Sequence, residues 1–114
     1  MTSSGAAAEQ LAAAFLQRQG LKLLEQNYRC RFGEIDLVLQ DRETLVFVEV
    51  RLRRSERFGG AAASVTPHKQ AKLLHAARHY LSGRSNPPPC RFDVVLLCGM
   101  AGEDMEWIKD AFGE

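Results

Sequence analysis

The spacing of apolar residues divides the chain into short alternating and helical segments. Ala8, Leu11, Ala12, Phe15 and Leu16 recur at helical spacing and predict a helix over residues 5–19, with Ser3 or Ser4 able to cap its start and Gly20 to end it. Residues 21–29 are apolar enough for a first strand, although Glu25-Gln26-Asn27 interrupts the pattern. Residues 34–40 and 44–52 are clearer strands, the second built on the β-forming run Leu45-Val46-Phe47-Val48. The short polar turn Asp41-Arg42-Glu43-Thr44 between them predicts an antiparallel hairpin. Residues 53–65 read as a loop containing Gly59-Gly60. Thr66 is then placed to cap a helix that opens on Pro67, carries Leu73, Leu74, Ala77, Tyr80 and Leu81 as its apolar stripe, and stops at Gly83. Asn86-Pro87-Pro88-Pro89 is a stiff connector to a buried strand, Phe92 to Cys98, and Met105 to Ile108 predicts a short edge strand.

The predicted order is helix, three strands, helix, one or two strands. It defines an α/β or α+β fold with a mixed sheet flanked by helices. At 114 residues, with 46% hydrophobic and 25% charged content, the chain fits a single domain, 1–114, with one modest core. No apolar run approaches the ~20 residues of a membrane span, and the start lacks the basic and apolar regions of a secretory signal. Cys30, Cys90 and Cys98 are an odd, widely spaced set, which suggests reduced thiols in a cytoplasmic protein. The net charge of +1 says little about partners. Its distribution says more, because Arg51, Arg53, Arg54 and Arg57 crowd together, either to meet phosphates or as a solvated loop.

Alternation sorts the hairpin into two faces. Ile35, Leu37, Leu39, Val46, Val48, Val50 and Leu52 make one entirely apolar face, expected to pack on a helix. The other carries Glu34, Asp36, Val38, Phe47, Glu49 and Arg51, its polar members gathered away from the turn. With the turn centred between Arg42 and Glu43, Asp36 falls opposite Glu49 and Glu34 opposite Arg51, at Cβ separations of roughly 4.5–5.5 Å. Two carboxylates so placed repel unless one is protonated or both share a cation, and an oxygen-only set favours Mg²⁺ or Mn²⁺ over zinc. The alternative is a salt-bridge cluster in which Arg51 neutralises Glu34 and Glu49 while Asp36 bonds to backbone.

Four segments in order carry a family resemblance: Gly33-Glu34-Ile35-Asp36-Leu37-Val38, Phe47-Val48-Glu49-Val50-Arg51, Thr66-Pro67-His68-Lys69-Gln70 and Arg91-Phe92-Asp93-Val94-Val95. Together they resemble the YraN family of small bacterial proteins, over nearly the whole chain from Glu9 to Phe112. That family is similar to Holliday-junction resolvases and implies the restriction-endonuclease-like fold. Its wider superfamily holds Mg²⁺ with an Asp and the Glu of a Glu-x-Lys motif. The resemblance therefore implies metal ligation by Asp36 and Glu49, by the Val50 carbonyl, and by Glu9 on the first helix. It also implies phosphodiester hydrolysis on DNA, with branched or structured DNA as a candidate substrate, and a homodimer by analogy. Arg51 stands where the superfamily has lysine. Arginine keeps a charge that binds phosphate well but cannot give up its proton. The expected catalytic set is thus Asp36, Glu49, Arg51 and Glu9, with Glu34 as an accessory acid. The rival expectations are a nucleic-acid-binding protein that keeps the fold without cleaving, and an interaction module whose acids form only an ion-pair network.

Lys69 and Lys72, on the polar side of the second helix, join Arg53, Arg54 and Arg57 as candidate contacts to a nucleic-acid backbone. His75 and His79 have the spacing of a helical zinc pair but no third ligand. Asp93, alone in an apolar strand, is expected to pair with Arg91 or cap a loop. Trp107 and Phe112 read as packing residues, and Cys30 lacks the base that a catalytic thiol requires.

Overall fold

A computed structural model describes residues 4–53, 65–98 and 104–113, with Ser4, Gly5 and Arg53 described in their backbone alone. The elements are α1 (Ser4–Arg18), β1 (Lys22–Cys30), β2 (Gly33–Asp41), β3 (Thr44–Arg53), α2 (Pro67–Leu81), β4 (Cys90–Cys98) and β5 (Asp104–Phe112). This is an α+β fold in the order expected from the apolar pattern. The strands form one five-stranded sheet in sequence order, antiparallel throughout except for the parallel β3–β4 pair. A parallel neighbour requires a crossover, and α2 lies within it. Its start is set locally, since the Thr66 hydroxyl accepts the Lys69 amide at 3.2 Å and Pro67 takes the first position. Of the two predicted caps of α1, Ser3 lies outside the described residues and Ser4 is the first residue of the helix; most of the predicted 53–65 loop with Gly59-Gly60 also lies outside them.

Both faces of the sheet are covered. Ala8, Ala12, Ala13 and Leu16 of α1 pack on Leu37, Leu39, Val46, Val48, Val95 and Leu97. Leu73, Ala76 and Ala77 of α2 pack on Ile35, Val38, Phe47, Phe92, Val94 and Leu96. Two expectations about the hairpin faces change. Leu52, assigned to the packed face, is 45% exposed because β3 has run past the helix that would cover it. Ile35, assigned to the face of Leu37, lies on the α2 side. The strand changes face at Asp36: β1–β2 pairing passes from Gln26↔Leu37 to Tyr28↔Ile35, and Asn27 between them adopts φ 54°. Asn tolerates that left-handed conformation better than most residues.

The last strand is longer than the predicted Met105–Ile108. It runs to Phe112 because Asp110 takes φ 54° at an irregularity opposite Phe92–Val94 and returns Ala111 and Phe112 to the core. The Asp110 amide donates to Asp93 Oδ1 at 2.9 Å. Asp93 is fully buried yet well partnered. Arg91 meets it in a fork, Nε to Oδ1 at 3.0 Å and Nη2 to Oδ2 at 3.2 Å, and Trp107 Nε1 donates to Oδ2 at 2.9 Å. Arg91 Nη1 also reaches Asp41 Oδ2 at 3.0 Å. The paired structural role expected for Asp93 is what the fold displays, and Trp107 adds a hydrogen bond to its packing against Phe15.

Candidate metal and phosphate site

Three carboxylates from three elements meet beside the end of the β2–β3 ladder. Glu9 projects from α1, Asp36 from β2 and Glu49 from β3. The predicted hairpin register holds from Asp41↔Thr44 to Leu37↔Val48. The backbone ladder stops there, so Asp36↔Glu49 and Glu34↔Arg51 are not among its pairs. In their place the Val50 amide donates to the Asp36 carboxylate, Oδ2, at 2.9 Å. A side chain thus stands in for the missing backbone acceptor, which fixes the Asp36 carboxylate against β3.

Glu34 pairs with Arg29 across the β1–β2 ladder at 3.5 Å rather than with Arg51, because β2 has left β3 by that point and Arg29 is its direct partner. Arg51 turns back to Glu49, Nη1 to Oε2 at 3.2 Å. Lys69, one turn into α2, also reaches Glu49 Oε2, at 3.7 Å. Both cations address the same oxygen. The other, Glu49 Oε1, is buried without a hydrogen-bond partner.

The electrostatics follow from this crowding. Burial first, and the Asp36 charge second, push Glu49 up to about 7 despite Lys69 and Arg51. The same two causes push Glu9 up to about 7, against an opposing hydrogen bond from Asn27. Asp36 is raised by burial and by Glu34, while the Val50 amide, Lys69 and a hydrogen bond with Glu9 hold it down. Three acids that resist ionisation together form a site that a cation would relieve.

The donor chemistry fits Mg²⁺ or Mn²⁺: hard carboxylate oxygens, a backbone carbonyl at Val50 within reach of the same strand, and an orphaned buried oxygen that a cation would satisfy. Among the described residues no three His, Cys, Asp or Glu side chains are grouped so that they could hold a metal ion as they stand, so joint ligation by Glu9, Asp36 and Glu49 would require these side chains to move or water to bridge them. His75 and His79 are not drawn into a zinc pair. His75 stacks on Phe32 and His79 bonds to Tyr28.

A cleft of about 330 Å³ reaches the site at Lys69 and is lined by Arg29, Cys30, Gly33, Glu34, Lys69, Lys72 and Leu73. A larger cleft of about 550 Å³ near the β2–β3 turn is lined by Asp41, Arg42, Glu43, Arg91, Trp107 and Lys109, and three of these, Asp41, Arg91 and Trp107, are engaged in the structural network of Asp93. Arg54 and Arg57, and the side chain of Arg53, lie outside the described residues. One participant escaped sequence reading, Asn27, which looked only like a weak spot in a strand. Lys69 was expected as a nucleic-acid contact, but nothing in the sequence signalled that α2 would bring it to Glu49.

The fold and the site define a small α+β protein whose acidic strand pair is flanked by cations. The chain belongs to the family described as Uncharacterised protein family UPF0102, which it matches over residues 8–97, and this is the YraN family that its motifs resemble. It is similar to a UPF0102 protein of Nitrosomonas europaea, 60% identical over 98% of this chain and 95% of that one. It is also similar to UPF0102 proteins of Nitrosomonas eutropha, 59% identical over 98% and 95%, and of Nitrosococcus oceani, 55% identical over 95% and 90%. No helix among the described residues is long and apolar enough to cross a membrane.

Proposed function

We propose that this protein is a metal-dependent nuclease that hydrolyses phosphodiester bonds in DNA, branched or structured DNA being the substrate its family resemblance suggests. The observation that carries the reading is Glu49: a buried carboxylate with two cations on Oε2 and nothing on Oε1. A purely structural ion pair would leave that oxygen unsatisfied at a cost of about 1–3 kcal/mol, whereas a shared cation uses it. Asp36 and Glu49 would hold Mg²⁺ or Mn²⁺, with the Val50 carbonyl and Glu9 completing the protein ligands directly or through water. When bound, the ion supplies Lewis acidity at the phosphate and a more acidic water.

The chain's own groups divide the remaining work. Lys69 and Arg51 are placed to donate to phosphate oxygens. Lys69 brings to the site the ammonium group that β3 lacks, so Arg51 does not by itself remove it. Glu9 would orient the attacking water by accepting a hydrogen bond from it. Cytoplasmic location and a homodimer accompany this reading, the dimer by analogy with resolvase-like relatives that cut two strands.

One observation favours a binding role without cleavage: Arg51 is already engaged with Glu49, and a guanidinium cannot act as an acid at neutral pH. Titration calorimetry with Mn²⁺ and cleavage assays on nicked, branched and linear DNA separate the cases. The nuclease reading expects Mn²⁺ binding and cleavage that both disappear in Asp36→Ala and Glu49→Ala. Metal binding without cleavage, together with cleavage gained in Arg51→Lys, points to the binding role. Wild-type cleavage that survives Asp36→Ala refutes the mechanism.

A further inference from the structure

We propose that Phe32 and His75 form a stacking site for an unpaired nucleobase, so that the nucleic acid bound by this protein carries a single-stranded segment beside the carboxylate site. The inference rests on the nucleic-acid reading above and adds the form of the substrate. Phe32 lies in the short turn between β1 and β2, where chains ordinarily place small polar residues. It is 36% exposed, and the turn itself gives no reason for a phenyl ring. Its ring is nevertheless supported. His75 stacks against it with centroids 5.8 Å apart and planes at 29°, and His79 lies 5.9 Å away at 60°. His79 is itself tied to the Tyr28 hydroxyl, and Tyr28 packs edge-on against Tyr80. Such a braced aromatic surface loses little freedom when a further ring is laid on it.

The charges around the ring select the occupant. The Arg31 guanidinium stands 5.0 Å from the Phe32 centroid, and Lys72 is exposed one turn before His75. An exposed arginine can yield the ring to a base and turn to a neighbouring phosphate. Lys69, Lys72 and His75 follow one another at three-residue spacing on α2, so roughly 9 Å of helix axis separates the Glu49 contact from the stacked ring. The cleft lined by Arg29, Lys69 and Lys72, with Glu34 as its one acid, lies along that route. This is a cationic track ending on aromatic rings, the combination by which proteins hold single strands. In an intact duplex the base faces are covered by their neighbours, so only an unpaired base can use the ring.

The test measures binding in EDTA, where neither the metal nor cleavage contributes. Fluorescence anisotropy compares a short oligothymidylate with an abasic strand of the same length, which keeps the phosphates and lacks the bases. The expected result is tighter binding of the oligothymidylate. Phe32→Ala should weaken that complex about tenfold, within the range for one stacked base, and leave the abasic complex unchanged. Phe32→Trp should retain binding, and its added emission should be quenched by the oligothymidylate but not by the abasic strand. Equal binding of the two strands, no binding of either, or an undiminished Phe32→Ala complex overturns the proposal. Anisotropy in EDTA reads neither metal binding nor cleavage, so failure of the catalytic reading and failure of this one give different results.

Discussion

Replacing Glu49 by glutamine should stabilise the protein by an amount that grows between about pH 4.5 and 7 and is full above neutral pH. The carboxyl is pushed from 4.5 up to about 7, mainly by burial and then by Asp36. The native state therefore keeps its proton to higher pH than the unfolded chain does. Stability from this group is fully present below the unfolded value and is lost as pH rises through about 7. At about 1.36 kcal/mol per pH unit, holding the charge folded costs about 3 kcal/mol. Glutamine resembles the protonated acid and has no charge to lose. Urea unfolding at about pH 4.5 should find wild type and Glu49→Gln nearly equal, and at about pH 8 the variant should lead by about 2–3 kcal/mol. Mn²⁺ at a hundredfold excess over its Kd should add about 2.7 kcal/mol to the wild type and far less to the variant. A Glu49→Gln variant that is less stable than wild type at about pH 8 would show that the ion pairs to Arg51 and Lys69 outweigh burial, and would refute the strained-acid account.

Asp93→Ala should lose about 3–5 kcal/mol in urea unfolding, because it strands the Arg91 guanidinium and the Trp107 and Asp110 donors in the interior. Trp107 emission should shift with it, and an unchanged midpoint would show that the network adds nothing. Thr66→Ala should lower stability by about 1 kcal/mol through the lost cap on Lys69, measured by thermal melting. Lys69→Met should cut cleavage by at least tenfold while Mn²⁺ binding persists; activity at the wild-type level would remove Lys69 from the phosphate contacts.

Most of the fold was legible because its signals are local. Thr66-Pro67 marks a helix start whatever surrounds it, and the turn at Arg42-Glu43 set a hairpin register that holds as far as Leu37↔Val48. What was missed depends on breaks in that regularity. Alternation carried Asp36 opposite Glu49 on paper, but the left-handed Asn27 turns β2 and the ladder ends one pair sooner. Asp36 and Glu49 still share one site through the Val50 amide and their mutual repulsion, a connection that strand arithmetic does not contain. Lys69 was legible as a candidate phosphate contact but not as a partner of Glu49, because its approach to Glu49 is decided by how α2 lies across the sheet. The length of β5 was likewise hidden in Asp110, whose backbone and partner Asp93 are both non-local facts.

The crossover that makes β3 and β4 parallel also sets an order in time. Glu9, Asp36 and Glu49 all precede the crossover, whereas Lys69 rides on α2 within it. During synthesis from the N-terminus the three acids leave the ribosome before the lysine that partly neutralises them. Until α2 docks, nothing buries the acids on that side and their mutual repulsion is softened by water. Closing the crossover therefore delivers the burial of Glu49 and its Lys69 counter-charge in the same step.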